Sequence, residues 1–272
     1  MSLSWRSELR LGVHPDRIAA LQVRGVWRKS IQAEALWSVP ECAKSERVKA
    51  VVDTISSNVA SAMPAARATV VLSNRWAHFA HIAVHDGLNA RERDNYVRHK
   101  FKAIFGDVAT TWMLRINSAD VMGGVIVSAV EAALVEGIRS ALTPAFGANV
   151  SIQPHFSAAF NRIRAEIHDE SAWLVVQESK QVVMGRLQEG RWESLASRHV
   201  RDTSADALFA ALEREHALQA FPRACHNVYL YPAAATALLP AFEHPRYKVR
   251  IVTPRRPDGF PLNKEQDYAV AA

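Results

Sequence analysis

Cysteine is nearly absent from this sequence, with only Cys42 and Cys225 among 272 residues. The two stand far apart and have no Cys or His neighbours at ligand spacing. That excludes a disulfide framework or a structural zinc site and leaves two idle thiols. No apolar run reaches the roughly 18–20 residues that a membrane-spanning helix needs. The opening Met1-Ser2-Leu3-Ser4-Trp5-Arg6 lacks the apolar centre of a signal peptide, so a cytoplasmic chain is predicted. Phosphate-loop and hydrolase signatures are missing too: there is no Gly-x-x-x-x-Gly-Lys-Ser/Thr and no Gly-x-Ser-x-Gly. The 11 histidines are scattered without ligand spacing. His78 and His81 are three apart on a predicted strand, which points them to opposite faces. These residues predict neither a metal nor a cofactor.

What is present is ordinary globular material. Apolar residues make up 49% of the chain and charged residues 22%, ample for a core. The net charge is +6. Its basic residues are densest over 91–102 and 246–256 but otherwise dispersed, which argues against a nucleic-acid-binding face. Lys248, Arg250, Arg255 and Arg256 suit an anionic membrane surface, at about 1 kcal/mol per well-placed charge; ordinary solvated charges are the alternative.

Hydropathy periodicity divides the chain into two similar halves. Leu9–Val13 and Ile18–Val23 flank His14-Pro15-Asp16 and predict a β-hairpin with a Pro-Asp turn. A third strand follows at 33–40. A helix is predicted over 45–63, with Ser45 as its N-cap and Pro64 as its stop. Strands at 68–73 and 76–84 lead to a helix opened by Asn89 and closed by Gly106. Strands at 110–116 and 123–130, a helix at 131–146, a strand at 149–154 and a helix at 155–167 complete the first half. The second opens with a meander at 171–179, 181–187 and 191–200. It continues with helix 203–220, strand 226–232, a short helix at 235–243 and strand 247–253. The stretch 254–272 has no periodicity and is predicted to be a mobile tail. The implied division is 1–167 with an inserted subdomain, 168–253, and that tail.

Each half opens with a meander and then alternates helices with strands, a mixed α/β plan of duplicated type. It is the plan of the actin-like ATPase superfamily, with two ribonuclease-H-like domains on mixed sheets. From about Trp5 to Thr253 the chain resembles PilM-like pilus-assembly proteins and the cytoplasmic domain of type II secretion protein L. The segments that carry the resemblance are "ATVVLSNRWAHFAHIAV" (68–84) and "GGVIVSAVEAALVEGIRSALTPAFGANVSIQPHFSAAF" (123–160). These are hydrophobic patterns in matching order and spacing, with few signature residues.

The resemblance implies three nucleotide loops, and each departs from the superfamily's chemistry. The first loop wants an acid two places before a glycine to hold magnesium, and small residues whose N–H groups reach phosphate. Here Gly12 is kept, Arg10 replaces the acid, and the turn holds His14 and Pro15, the latter without an N–H. The second match has Gln177 on the strand and Glu178-Ser179-Lys180 in the turn, with no glycine. The third has Pro232-Ala233-Ala234 where a Gly-Gly turn lets adenosine pass. Three such losses predict that no nucleotide is hydrolysed. The first hairpin is then a phosphate hairpin disarmed in its chemistry; an ordinary hairpin of no such descent is the alternative. Arg10, Pro232, Ala233 and Ala234 are predicted to fill the former nucleotide site, with Arg10 finding a carboxylate or carbonyl partner.

Trp76 and Phe79, with Tyr96, Phe101 and Phe105 on the next helix, are predicted to form one aromatic group. It is either core or a groove for a partner peptide. The resemblance implies such a groove, taking the N-terminal cytoplasmic segment of a bitopic inner-membrane pilus or secretion protein. The expected function is therefore a non-catalytic, cytoplasmic scaffold at the inner membrane, coupling that partner to the assembly ATPase. Because the chain ends at Ala272 without a spanning helix, the PilM-like role is favoured. The rival functions are an actin-like ATPase or sugar-kinase-like enzyme with atypical loops, and a basic nucleic-acid-binding module.

Overall fold

The computed structural model describes residues 7–25, 30–85, 87–118, 121–167, 171–179, 181–202, 204–219, 225–231 and 244–252. The predicted hairpin is present as β1 (Ser7–Val13) and β2 (Arg17–Arg24), paired antiparallel from Ser7↔Arg24 to Val13↔Ile18. β3 (Ser30–Ser38) adds antiparallel to β2. β4 (Arg67–Leu72) and β8 (Val150–Pro154) extend the other side in parallel, giving the order β3-β2-β1-β4-β8. Alternation along β1 sends Leu9, Leu11 and Val13 to one face, where they join the main core. That core is roofed by α1 (Arg47–Ala62) and α3 (Ala132–Phe146), which supply Val51, Ile55, Leu134 and Ile138. The two helices meet at Gly137, where an added Cβ would lie 2.6 Å from a Val52 methyl. Helix α1 begins later than predicted. Lys44–Glu46 form a 3-10 turn, so the N-cap is Glu46 rather than Ser45, and it makes no side-chain cap bond.

The second half repeats the first strand for strand. β9 (Ala172–Glu178), β10 (Gln181–Gln188) and β11 (Arg191–His199) form the meander. β12 (Asn227–Tyr231) and β13 (Lys248–Ile251) join in parallel, giving β11-β10-β9-β12-β13. α5 (Ala205–Gln219) covers its outer face through Leu208, Phe209 and Leu212. α4 (His155–Ile167) runs from the end of β8 and buries Phe156, Ala159, Ile163 and Ile167. Through it the main core continues from Leu9 and Leu72 to Leu174, Val183 and Tyr231, so one apolar interior serves both halves. Arg250, predicted as a membrane-facing charge, stands on β13 and pairs with Glu166 at 2.8 Å. Arg255, Arg256, the 235–243 helix and the 254–272 tail lie outside the described residues.

Between β4 and β8 the chain inserts β5 (Ala77–Ala83), α2 (Ala90–Phe105), β6 (Trp112–Asn117) and β7 (Gly124–Glu131). The three strands form an antiparallel sheet in the order β5-β7-β6. α2 starts where predicted: Asn89 Oδ1 accepts from the N–H groups of Arg91 and Glu92, while Glu92 Oε2 accepts from Asn89 N–H, each at 3.0 Å. Gly106 closes it at φ +83°, a left-handed conformation that suits glycine. Val97 and Phe101 of α2 pack on the outer sheet face, against Ala80, Ile82, Val125 and Val127. The inner face carries Phe79, Met113, Arg115, Ile126, Ser128 and Val130, turned towards the two larger sheets. Among the described residues no helix is long and apolar enough to cross a membrane.

Candidate functional site

The first and second predicted loops meet in a buried polar cleft between the two five-stranded sheets. In the first, Gly12 pairs with Ala19 inside the hairpin, and the His14 N–H is used up on Arg17 O at 2.9 Å. Pro15 offers no N–H, and its carbonyl accepts from Arg47 of α1 at 3.3 Å. His14 itself is buried. Burial, then the neighbouring Arg17 charge, pushes its pKa down to about 3 against a smaller opposing pull from Glu178, so the ring is neutral.

The second loop supplies the centre of the cleft. Glu178, read from sequence as part of the turn, is the last residue of β9 and only 1% exposed. One carboxylate oxygen accepts from the Ser73 hydroxyl. The other accepts from the Asn74 backbone N–H at 2.7 Å and stands 3.2 Å from His155 Nδ1. Ser73 and Asn74 follow β4, and His155 opens α4, so one carboxylate of the second half ties two elements of the first. The tie is extended by Asn74. Its side-chain oxygen accepts from Phe156 N–H at 2.9 Å, and its carbonyl accepts from Gln181 Nε2 at 3.1 Å. Burial alone raises the Glu178 carboxyl. His155, Ser73 and Asn74 together outweigh it and hold the group below the ordinary glutamate value.

The other sequence-predicted residues are placed as follows. Gln177 is buried on β9 and Ser179 is exposed in the turn. Arg10 does not reach the cross-sheet tie. It is buried in mid-strand on β1, 3.4 Å from Glu8, which also takes Arg67 at 3.0 Å and the Thr69 hydroxyl at 2.9 Å. The expected carboxylate partner exists, but the pair belongs to the sheet face rather than to the cleft. Pro232, Ala233 and Ala234 lie outside the described residues. Sequence reading missed Glu178, Ser73, Asn74 and His155 as a group. Nothing local set Glu178 apart, since it stood in a predicted turn with Ser179 and Lys180. Cys225 is buried, and burial pushes its thiol up to about 11, which suits an unreactive group.

The predicted aromatic group is divided. Trp76 sits in a 3-10 turn, not on a strand, and packs on the main core. Tyr96, Phe101 and Phe105 lie under α2 on the outer face of the inserted sheet. Phe79 faces inward, because residues two apart on β5 share a face and the α2 side belongs to Ala80 and Ile82. There it joins rings that the sequence had not grouped with it. Phe79–Phe156 centroids are 5.6 Å apart, Phe156–Trp192 5.7 Å and Phe160–Trp192 4.7 Å. These rings floor a half-open cavity of about 670 Å³ between the inserted sheet, α4 and the β10–β11 hairpin. Gly185 makes the floor possible: a Cβ there would lie 2.3 Å from Trp192 and 2.8 Å from Phe156.

With that geometry in view, solved structures provide the comparison. A Bacteroides thetaiotaomicron protein with actin-like ATPase fold aligns at TM-score 0.57 and 7% identity, over 84% of this chain and 82% of its own. This is the actin-like fold. The PilM–PilN type IV pilus biogenesis complex aligns at 0.56 and 15% identity, over 82% and 80%. The cytoplasmic domain of EpsL, an inner membrane component of the Vibrio cholerae type II secretion system, aligns at 0.54 and 12%, over 90% of each chain. No protein-family model matches the sequence, and no curated protein matches it either. The duplicated sheets are thus those of an actin-like fold, to which PilM and the EpsL cytoplasmic domain are similar.

Proposed function

We propose that this chain is a non-catalytic actin-like scaffold of a type IV pilus or type II secretion platform, working on the cytoplasmic side of the inner membrane. It binds the cytoplasmic segment of a membrane partner and couples that partner to the assembly ATPase. The observation that carries the non-catalytic part is Glu178, whose oxygens are committed to Ser73, Asn74 and His155 across the cleft. A magnesium ion or a phosphate entering there would have to displace three buried donors from a buried carboxylate, each worth roughly 1–3 kcal/mol if left unpaired. Arg10, standing where the acid belongs, is paired with Glu8 and offers no metal ligand.

The binding part draws on the cavity beside the inserted sheet and on the PilM–PilN complex being a neighbour in fold. Aromatic side chains gathered in a concave, half-open site are the usual anchors for a partner's apolar residues. Calorimetry tests both parts. The protein is titrated with ATP and magnesium, and separately with the cytoplasmic segment of a candidate bitopic partner. The expected result is no heat and no phosphate release in the first case and binding in the second. Micromolar nucleotide binding with phosphate release overturns the scaffold reading.

A further inference from the structure

The cavity's charge and shape say what kind of segment it takes, given the partner-binding reading above. Among the described residues its lining includes two arginines, Arg115 from β6 and Arg164 from α4, and no Asp or Glu. Both are exposed rather than packed away. A smaller cavity of about 60 Å³ adjoins it, sharing Arg115 and Ser128. That second cavity adds Arg139 of α3 and again shows no acid among the described residues. Three arginines from three elements therefore border one track, without a carboxylate among its described lining residues.

The track follows β7. Ile126 and Ser128 line the large cavity, and Ser128 and Val130 line the small one. Residues two apart on a strand share a face at about 3.3 Å per residue, so Ile126 to Val130 spans roughly 13 Å. That length fits four or five residues of extended chain and is long for a compact metabolite. Its apolar end is the ring floor of Phe79, Phe156, Phe160 and Trp192.

We propose that the occupant is an extended acidic peptide. It places an apolar side chain on the Trp192 floor and carboxylates opposite Arg164, Arg115 and Arg139. Arginine suits this task because its planar fork takes a carboxylate bidentately, and a half-apolar wall strengthens the pair relative to open water. The ring floor supplies the affinity and the arginines set the choice among apolar segments.

Trp192 emission is the readout, with Trp192→Phe as the control for the other tryptophans. The probes are three capped decapeptides that share two leucines and a phenylalanine and carry three Asp, three Asn or three Lys. The acidic peptide should bind about tenfold or more tightly than its Asn twin at low salt, and the difference should shrink as salt rises. Arg115→Glu and Arg164→Glu are surface changes that leave the fold in place. Each should weaken the acidic peptide and improve the Lys peptide. Equal binding of the Asp and Asn peptides overturns the acidic assignment while leaving the partner-groove reading standing. Failure of all three peptides to move Trp192 emission overturns both for this cavity. Nucleotide titration fails or succeeds independently of either result.

Discussion

Removing the Glu178 carboxylate should cost far more stability than removing an ordinary surface ion pair. In Glu178→Ala three donors lose their acceptor together: the Asn74 N–H, the Ser73 hydroxyl and the ring nitrogen of His155. Ser73 and Asn74 are 0% exposed and His155 4%, so water does not reach them without local opening. An unpaired buried donor costs roughly 1–3 kcal/mol, and breaking one side of a buried ionic network typically costs about 3–5 kcal/mol in all. Glu178→Gln keeps an oxygen for Asn74 and His155, and the Ser73 hydroxyl can rotate to accept from the new amide. That variant should lose only about 1–2 kcal/mol. The control is Glu213→Ala, which breaks the half-exposed pair with Arg246 at 2.7 Å and should cost about 1 kcal/mol or less. Urea unfolding followed by tryptophan emission gives the three midpoints. Should Glu178→Ala fail to fold, Glu178→Gln and Ser73→Ala still rank against Glu213→Ala. If Glu178→Ala falls within 1 kcal/mol of the control, the tie across the cleft does not hold the halves together and the account of it is wrong.

Three further outcomes follow from the geometry. Acidification should destabilise through His14. Its folded pKa is depressed to about 3 while the unfolded ring titrates near 6.5, so the unfolded state binds the extra proton. Stability present above pH 6.5 is lost as pH falls, by roughly 2 kcal/mol between pH 6.5 and 5. A His14→Gln variant, measured by urea midpoints at the two pH values, should lose most of that slope. Gly185→Ala forces Trp192 and Phe156 off the strand, costing about 1–3 kcal/mol and changing Trp192 emission. Phe101→Ala opens a void under α2 at a 0% exposed site and should cost about 3–5 kcal/mol. It should do so without altering peptide binding in the cavity, whereas Phe79→Ala should weaken that binding.

The fold was legible because its strands obey simple periodicities. β1 alternates Leu9, Leu11, Val13 against Glu8, Arg10, Gly12, and β9 is a continuous buried run. Two meanders, each followed by alternating helix and strand, are enough to state a duplicated plan, and the sheet orders repeat it. Helix ends were read well where a side chain does the capping, as at Asn89, and poorly where backbone alone does it, as at Glu46. The aromatic group was misassigned for a related reason. Nothing in the spacing of Phe79 and Phe101 says which face of β5 receives α2. That is decided by the small residue Ala80 and by Ile82, which leave room for Phe101 on the outer side.

The cleft was half legible. Loss of loop chemistry is a local property: a glycine or an acid is present at a matched place or it is not. The tie that Glu178 makes across the cleft is non-local. Ser73 is 105 residues from Glu178 and Asn74 is 104, so no pattern in either segment announces the other. Residues beside turns are mostly solvated, so an acid next to Ser179 carries no local sign of burial. Its burial follows instead from the central place of β9, antiparallel to β10 and parallel to β12, which draws the strand's last residue under the ends of β4 and α4. Arg10 shows the converse. A charged residue in mid-strand looked like the natural plug for the cleft, but it pairs with Glu8, two residues earlier on the same face. The tie across the cleft is made instead by an acid at a strand end, to which two elements of the first half bring donors.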